Sequence, residues 1–133
     1  MLVAIADTHA ILWSIFDDPR LADGARYFLQ ETFKRGNQIG ISSITLAETI
    51  YLIEKGRIPA GSFHRLLLDL DAPDSALLEI PFDRAIAESL RRVERSAVPD
   101  LPDRIISATA LHLGIPVISR DRKIRLSGLK TIW

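Results

Sequence analysis

An α/β fold with a mainly parallel central sheet of four to five strands is predicted by three features of this sequence. Short apolar runs, each stopped by a polar residue, recur along the chain and read as buried strands. Segments of helical length lie between them, and strands alternating with helices argue for a parallel sheet. The chain has 133 residues, 47% of them hydrophobic, with a mean hydropathy of +0.14. That supports one compact domain over residues 1–133 with ample material for a core.

Residues 2–6 (LVAIA) form the first predicted strand. Residues 8–16 (THAILWSIF) form a short helix that ends at Asp17-Asp18-Pro19. Over 21–35, Leu21, Ala25, Phe28, Leu29 and Phe33 recur near helical spacing, and Gly36-Asn37 marks the stop. Residues 39–42 (IGIS) form the second strand. A helix follows over 43–55, with Ser43 at its N-cap and Gly56 beyond its end. Pro59 introduces a helix over 60–71, and residues 76–80 (ALLEI) form a strand before Pro81. An amphipathic, Arg-rich helix is predicted over 83–95. An apolar helix over 103–113 follows Pro102 and is closed by Gly114. Residues 116–119 (PVIS) form the fourth strand and 130–132 (KTI) a short last one.

Composition narrows the chemistry. The absence of cysteine excludes disulfides, thiolate zinc sites and cysteine nucleophiles, and fits a reducing cytoplasm. No apolar run approaches the ~18 residues of a membrane helix. MLVAIA stops at Asp7, too short for a signal-peptide core and without a basic leader. Net charge is zero but unevenly spread. Residues 1–83 hold 7 Lys/Arg and 12 Asp/Glu, a balance of −5, and residues 84–133 hold 10 and 5, a balance of +5. A basic half either guides a polyanion toward the acidic half or forms part of an ordinary solvated surface.

Four acids lie in or at the end of strongly apolar segments: Asp7, Glu48, Asp103 and Asp121. Carboxylates are rarely buried unless paired or bound to metal. Asp7 and Asp103 each stand where a helix N-cap is also expected. Asp100, between Pro99 and Leu101, reads as a loop residue and a weaker candidate. Glu48 lies mid-helix among apolar neighbours with no evident solvent face, which leaves a pocket or a buried ion pair. Asp121 is either a strand-end ligand or an exposed turn acid between Arg120 and Arg122. Ser119, at the same strand end, offers a hydroxyl. In parallel sheets ligands collect at the carboxyl ends of strands, where Asp7 and Asp121 fall. Two carboxylates about 4 Å apart repel by ~4 kcal/mol at an effective dielectric of 20. A shared pocket therefore calls for a divalent cation, and oxygen ligands of this kind suit Mg²⁺ or Mn²⁺.

Four stretches carry a family resemblance: DTHAILW at 7–13, SSITLAE at 42–48, PDRIISATAL at 102–111 and ISRD at 118–121. In this order and spacing the chain resembles PIN-domain nucleases, especially VapC-type toxins of toxin–antitoxin pairs. The resemblance implies a three-layer α/β/α sandwich and a Mg²⁺- or Mn²⁺-dependent endoribonuclease. It carries the metal-site and catalytic acids onto Asp7, Glu48, Asp103 and Asp121, and a supporting hydroxyl onto Ser119. It also implies a cytoplasmic homodimer held in check by a cognate VapB-type antitoxin.

On that reading Arg104, Arg120, Arg122 and Lys123, which flank two of the acids, are candidates for RNA phosphate contacts, with solvated surface charge as the competing account. His9 stands near Asp7, in the pocket or on the surface. His64 and His112 receive no role, and Trp13 and Trp133 read as packing residues. A haloacid-dehalogenase-like phosphatase would need a second Asp where His9 stands, and a receiver domain an acidic pair near the first strand. The alternative in another class is a PIN-like module that binds RNA or protein without cutting it.

Overall fold

A computed structural model describes all 133 residues. Five strands, β1 (Leu2–Ala6), β2 (Gln38–Ser42), β3 (Leu77–Ile80), β4 (Val117–Ile118) and β5 (Thr131–Ile132), form one sheet in the order β3-β2-β1-β4-β5. Every neighbouring pair is parallel, as the alternation of strands and helices requires. Seven helices connect them: α1 (Thr8–Ile15), α2 (Asp23–Lys34), α3 (Ser43–Glu54), α4 (Ser62–Asp71), α5 (Arg84–Ser89), α6 (Leu101–Leu113) and α7 (Arg122–Leu126).

Alternation along the strands divides the core between the two faces of the sheet. Ala4, Ala6, Ile39, Ile41 and Ile118 join Ile11, Leu12, Leu29 and Leu66 from α1, α2 and α4. Ile5 and Val117 join Ile86, Ile106 and Ile124 from α5, α6 and α7. The result is a three-layer α/β/α sandwich.

Gly40 shows how tightly the central strands fill. A Cβ at this position would collide with Ile5 Cδ1 and approach Ile80 Cγ1 to 3.2 Å. Ile5 is fully buried. Gly40→Ala is expected to destabilise the fold by about 1–3 kcal/mol, read as a lower urea midpoint at unchanged m-value.

Three local expectations need correction, besides the cap of α3, where Ser42 rather than Ser43 accepts from the Ile44 N–H at 3.2 Å. The helix predicted over 83–95 is shorter: α5 ends at Ser89 and passes through a 3-10 turn at Leu90–Arg92. Val93 and Val98 turn into the core, and the Arg104 guanidinium takes the carbonyls of Leu90 and Val93, each at 2.8 Å, so helical bonding stops there. The second correction is α7, a helix in a stretch between 119 and 130 to which no element is assigned from sequence. Its side-chain cap is Asp121 and it is pinned by the buried Ile124. The third concerns α3, which does have a solvent face: Ile50 is 42% and Tyr51 55% exposed, while Thr45, Thr49 and Leu52 are buried.

Candidate functional site

Strand order alone locates the site. Successive connections place β2 and β3 on one side of β1, and β4 and β5 on the other. The crevice at such a reversal, beyond the carboxyl ends of the strands, is where open parallel sheets place ligands. Asp7 leaves β1 here with its N–H donating to Ile118 O at 3.0 Å, which ties it to β4. Ser119 and Asp121 follow β4. Glu48 comes from α3 and Asp103 from α6. The four acids expected to act together do meet. A pocket of about 390 Å³ is lined by Asp7, His9, Trp13, Glu48, Asp100, Asp103, Arg120 and Asp121.

Capping and pocket-lining prove compatible. Asp7 Oδ1 accepts from Ala10 N at 2.9 Å and Asp121 Oδ1 from Lys123 N at 2.8 Å. Each bond occupies one oxygen of its carboxylate as a cap. At α6 the cap is Asp100, whose Oδ2 accepts from Asp103 N at 3.1 Å. Asp103 therefore lies in the first turn, and Asp100, read from sequence as a loop residue, belongs both to the helix and to the pocket. Its signal was present: an Asp three residues before another acid, with Pro102 in the first turn, marks a helix start. Helices α1 and α6 thus begin at the pocket, and their positive dipole ends favour negative charge there.

The pocket is electrostatically loaded. Burial pushes the Asp7 carboxyl up, against hydrogen bonds from Ser119 and the Ala10 N–H, and the Asp121 charge adds to the rise. The Ser119 hydroxyl accepts from Asp121 N at 2.9 Å. Burial likewise raises Glu48, opposed by the Thr8 hydroxyl and His9 and reinforced by Asp100 and Asp7. Asp103 is pushed up to about 8, first by burial and then by Asp100, Asp121 and Asp7. No ion pair relieves any of these acids. The buried ion pair considered for Glu48 is absent, and its buried Oε1 has no hydrogen-bond partner. The same is true of Ser107 Oγ, one turn beyond Asp103 on α6.

These observations fit a divalent cation through the chemistry of the donor set. No three of the acidic or histidine side chains form a ready-made cage. Mg²⁺ does not need one, since it keeps several waters and takes one or two carboxylates together with substrate phosphates. An orphaned carboxylate oxygen among acids that resist ionisation is what such an ion would satisfy.

The basic candidates divide. Arg120 lines the pocket with its guanidinium 4.6 Å from the centre of the Trp13 ring and pairs with no acid. Arg122 and Lys123 are exposed on α7, which starts at the pocket. Arg104 turns inward onto the Leu90 and Val93 carbonyls. It braces the 3-10 turn, and its place among the expected phosphate contacts is withdrawn. Trp13, 6% exposed, packs edge-on against Trp133 at 5.9 Å.

A family model described as PIN domain matches residues 4–127. No curated protein matches significantly. Among solved structures, the chain is similar to VapBC2 from Rickettsia felis bound to a promoter DNA fragment, at 20% identity and a TM-score of 0.71, covering 98% of this chain and 97% of that one. It is also similar to FitAcB from Neisseria gonorrhoeae, at 22% identity and a TM-score of 0.64, covering 97% and 96%. A third likeness is FitAB bound to an IR36 DNA fragment, at 20% identity and a TM-score of 0.62, covering 97% and 93%.

Proposed function

This chain belongs to the PIN-domain family, and from that premise we propose that it is a Mg²⁺- or Mn²⁺-dependent endoribonuclease, the toxin of a type II toxin–antitoxin pair. The observation that carries this reading is the pocket itself: five carboxylates and one arginine at the switch point of the sheet, with a buried Glu48 oxygen left without a partner. The protein works as a cytoplasmic homodimer neutralised by a VapB-type antitoxin. The exposed Ile50 and Tyr51 on α3 favour a second copy there.

Asp7, Glu48, Asp103 and Asp121 would hold the ion. When bound, it offsets their mutual repulsion and the charge of the scissile phosphate, and makes water a better nucleophile. Asp7 is held by the Ala10 N–H and backed by Ser119, so its carboxylate is fixed before substrate arrives. Glu48 Oε1, raised in pKa and unpartnered, orients the attacking water and accepts its proton. Attack on phosphorus breaks the P–O3′ bond, O3′ departs with a proton taken from solvent, and the products are a 5′-phosphate and a 3′-hydroxyl. Arg120 meets the phosphate at the pocket rim, while Arg122 and Lys123 contact phosphates further along the strand.

The test is incubation of the purified protein with mixed cellular RNA in Mn²⁺, Mg²⁺ or EDTA. Cleavage only with metal is expected, and RNA left intact under all three conditions by a folded protein overturns the reading. The double variant Arg122→Ala/Lys123→Ala is expected to weaken RNA binding and to flatten log K against log salt by about 1.4 in slope. An unchanged slope would mean that α7 does not touch the backbone.

A further inference from the structure

The acidic pocket does not end at Asp7. His9 and Trp13 stand at i and i+4 on one face of α1, and Phe16 is the C-cap residue just beyond the helix. His9 and Trp13 line the acidic pocket and also a second groove of about 300 Å³, which continues past Phe16 to the α3–α4 connection. The two cavities therefore adjoin at His9 and Trp13. Their character differs. The first holds five carboxylates, whereas the second is bordered by Arg20 and Arg57 with one acid, Asp18.

Each wall offers something a nucleotide uses. Phe16 is 43% exposed and borders the groove, and the Arg65 guanidinium lies over its ring, 6.0 Å from the centre. Arg57 forms no ion pair and is free to meet an anion. Arg20 is held over the Trp13 ring at 5.0 Å and braced by Asp18 at 2.8 Å, which fixes its position on the border. Residues 9 to 16 span about 10 Å of helix axis.

We propose that this groove is a nucleotide subsite, in which one unpaired base of a single-stranded RNA packs on Phe16 while its phosphate meets Arg57 and Arg20, beside the bond cut in the acidic pocket. Charge complementarity selects this occupant: a polyanion entering the cleft is repelled by the carboxylates and attracted by the arginines next to them. An aromatic face with neighbouring guanidinium groups is a sequence-tolerant stacking platform, and only an unpaired base can use it. The location beside the scissile bond rests on the ribonuclease reading, whereas the binding does not.

The experiment measures anisotropy of a fluorescein-labelled single-stranded oligoribonucleotide, and of its duplex, with EDTA present so that no cleavage competes. Wild type is compared with Phe16→Ala and Arg57→Ala, both at exposed positions. Wild type is expected to prefer the single strand, and each substitution to weaken single-strand binding about tenfold with the duplex little changed. Unchanged affinity in both variants overturns the proposal, as does a wild type that binds no RNA. If the variants keep RNA affinity but lose an antitoxin co-expressed with them, the groove is a protein-docking surface and the proposal fails. Cleavage is scored separately: groove-dependent binding without metal-dependent cleavage sinks the nuclease reading and leaves the subsite standing.

Discussion

Replacing Asp7 by Asn is expected to lower RNA cleavage on the order of 10³-fold while leaving a well-folded protein. Asp7 has two roles that one substitution can separate. Its Oδ1 accepts from Ala10 N as the cap of α1, and an Asn oxygen accepts equally well. Its charge is what the proposed metal site would use, and that charge is costly where it lies, because burial pushes the Asp7 carboxyl up and Asp121 adds repulsion. Without metal, Asp7→Asn should therefore melt no lower than wild type. Asp7→Ala also loses the cap, a cost of about 1 kcal/mol, and should melt a few degrees lower. Added Mn²⁺ should raise the wild-type Tm and do much less for either variant. Full activity in Asp7→Asn would remove Asp7 from the centre of the mechanism. A metal-free Asp7→Asn protein far less stable than wild type would mean that the residue is structural.

The metal-free protein should lose stability as pH rises, and a divalent cation should restore it. A carboxyl whose folded pKa lies above its unfolded value favours folding in its protonated form. Its contribution is complete below the unfolded value and disappears as pH passes through the folded one. For Asp103 this window runs from 3.8 to about 8, and Asp7 and Glu48 shift in the same direction. Asp103 is partly open to solvent, so its shift is discounted for screening. The expected loss is on the order of 2 kcal/mol, or roughly 6 °C in Tm between pH 5 and pH 9 for a chain of this size. Mn²⁺ should reverse most of it at pH 8 and little at pH 5, where protons already neutralise the acids. Calorimetry in EDTA and in Mn²⁺ across that range decides the matter. A flat metal-free curve would mean that the carboxylates are not crowded as the pocket implies.

The legible part of this protein lies in patterns shorter than about fifteen residues. LVAIA ending at Asp7 and the apolar run before Asp121 identify two strand ends, and strand ends in a parallel sheet are where a site belongs. Glu48 stood out because a mid-helix acid with apolar neighbours cannot be a cap. What enclosed it was misread, since α3 turns Ile50 and Tyr51 to solvent and its buried stripe runs through Thr45, Thr49 and Leu52. Apolar composition cannot tell a core face from an unpartnered one.

By itself the sequence determined the α/β class, the parallel sheet and most elements, and singled out four acids that the fold brings to one pocket, because each depends on local spacing and on the penalty for leaving a carboxylate among apolar side chains. Tertiary structure alone decided that Asp100 joins them, that Arg104 is spent on the carbonyls of Leu90 and Val93, and that Arg120 rests on Trp13 at the pocket rim. It also decided that His9, Trp13 and Phe16 line a cleft reaching the arginines. The direction in which a long side chain turns is set by neighbours distant in sequence, and strand order β3-β2-β1-β4-β5 is what brings those neighbours together.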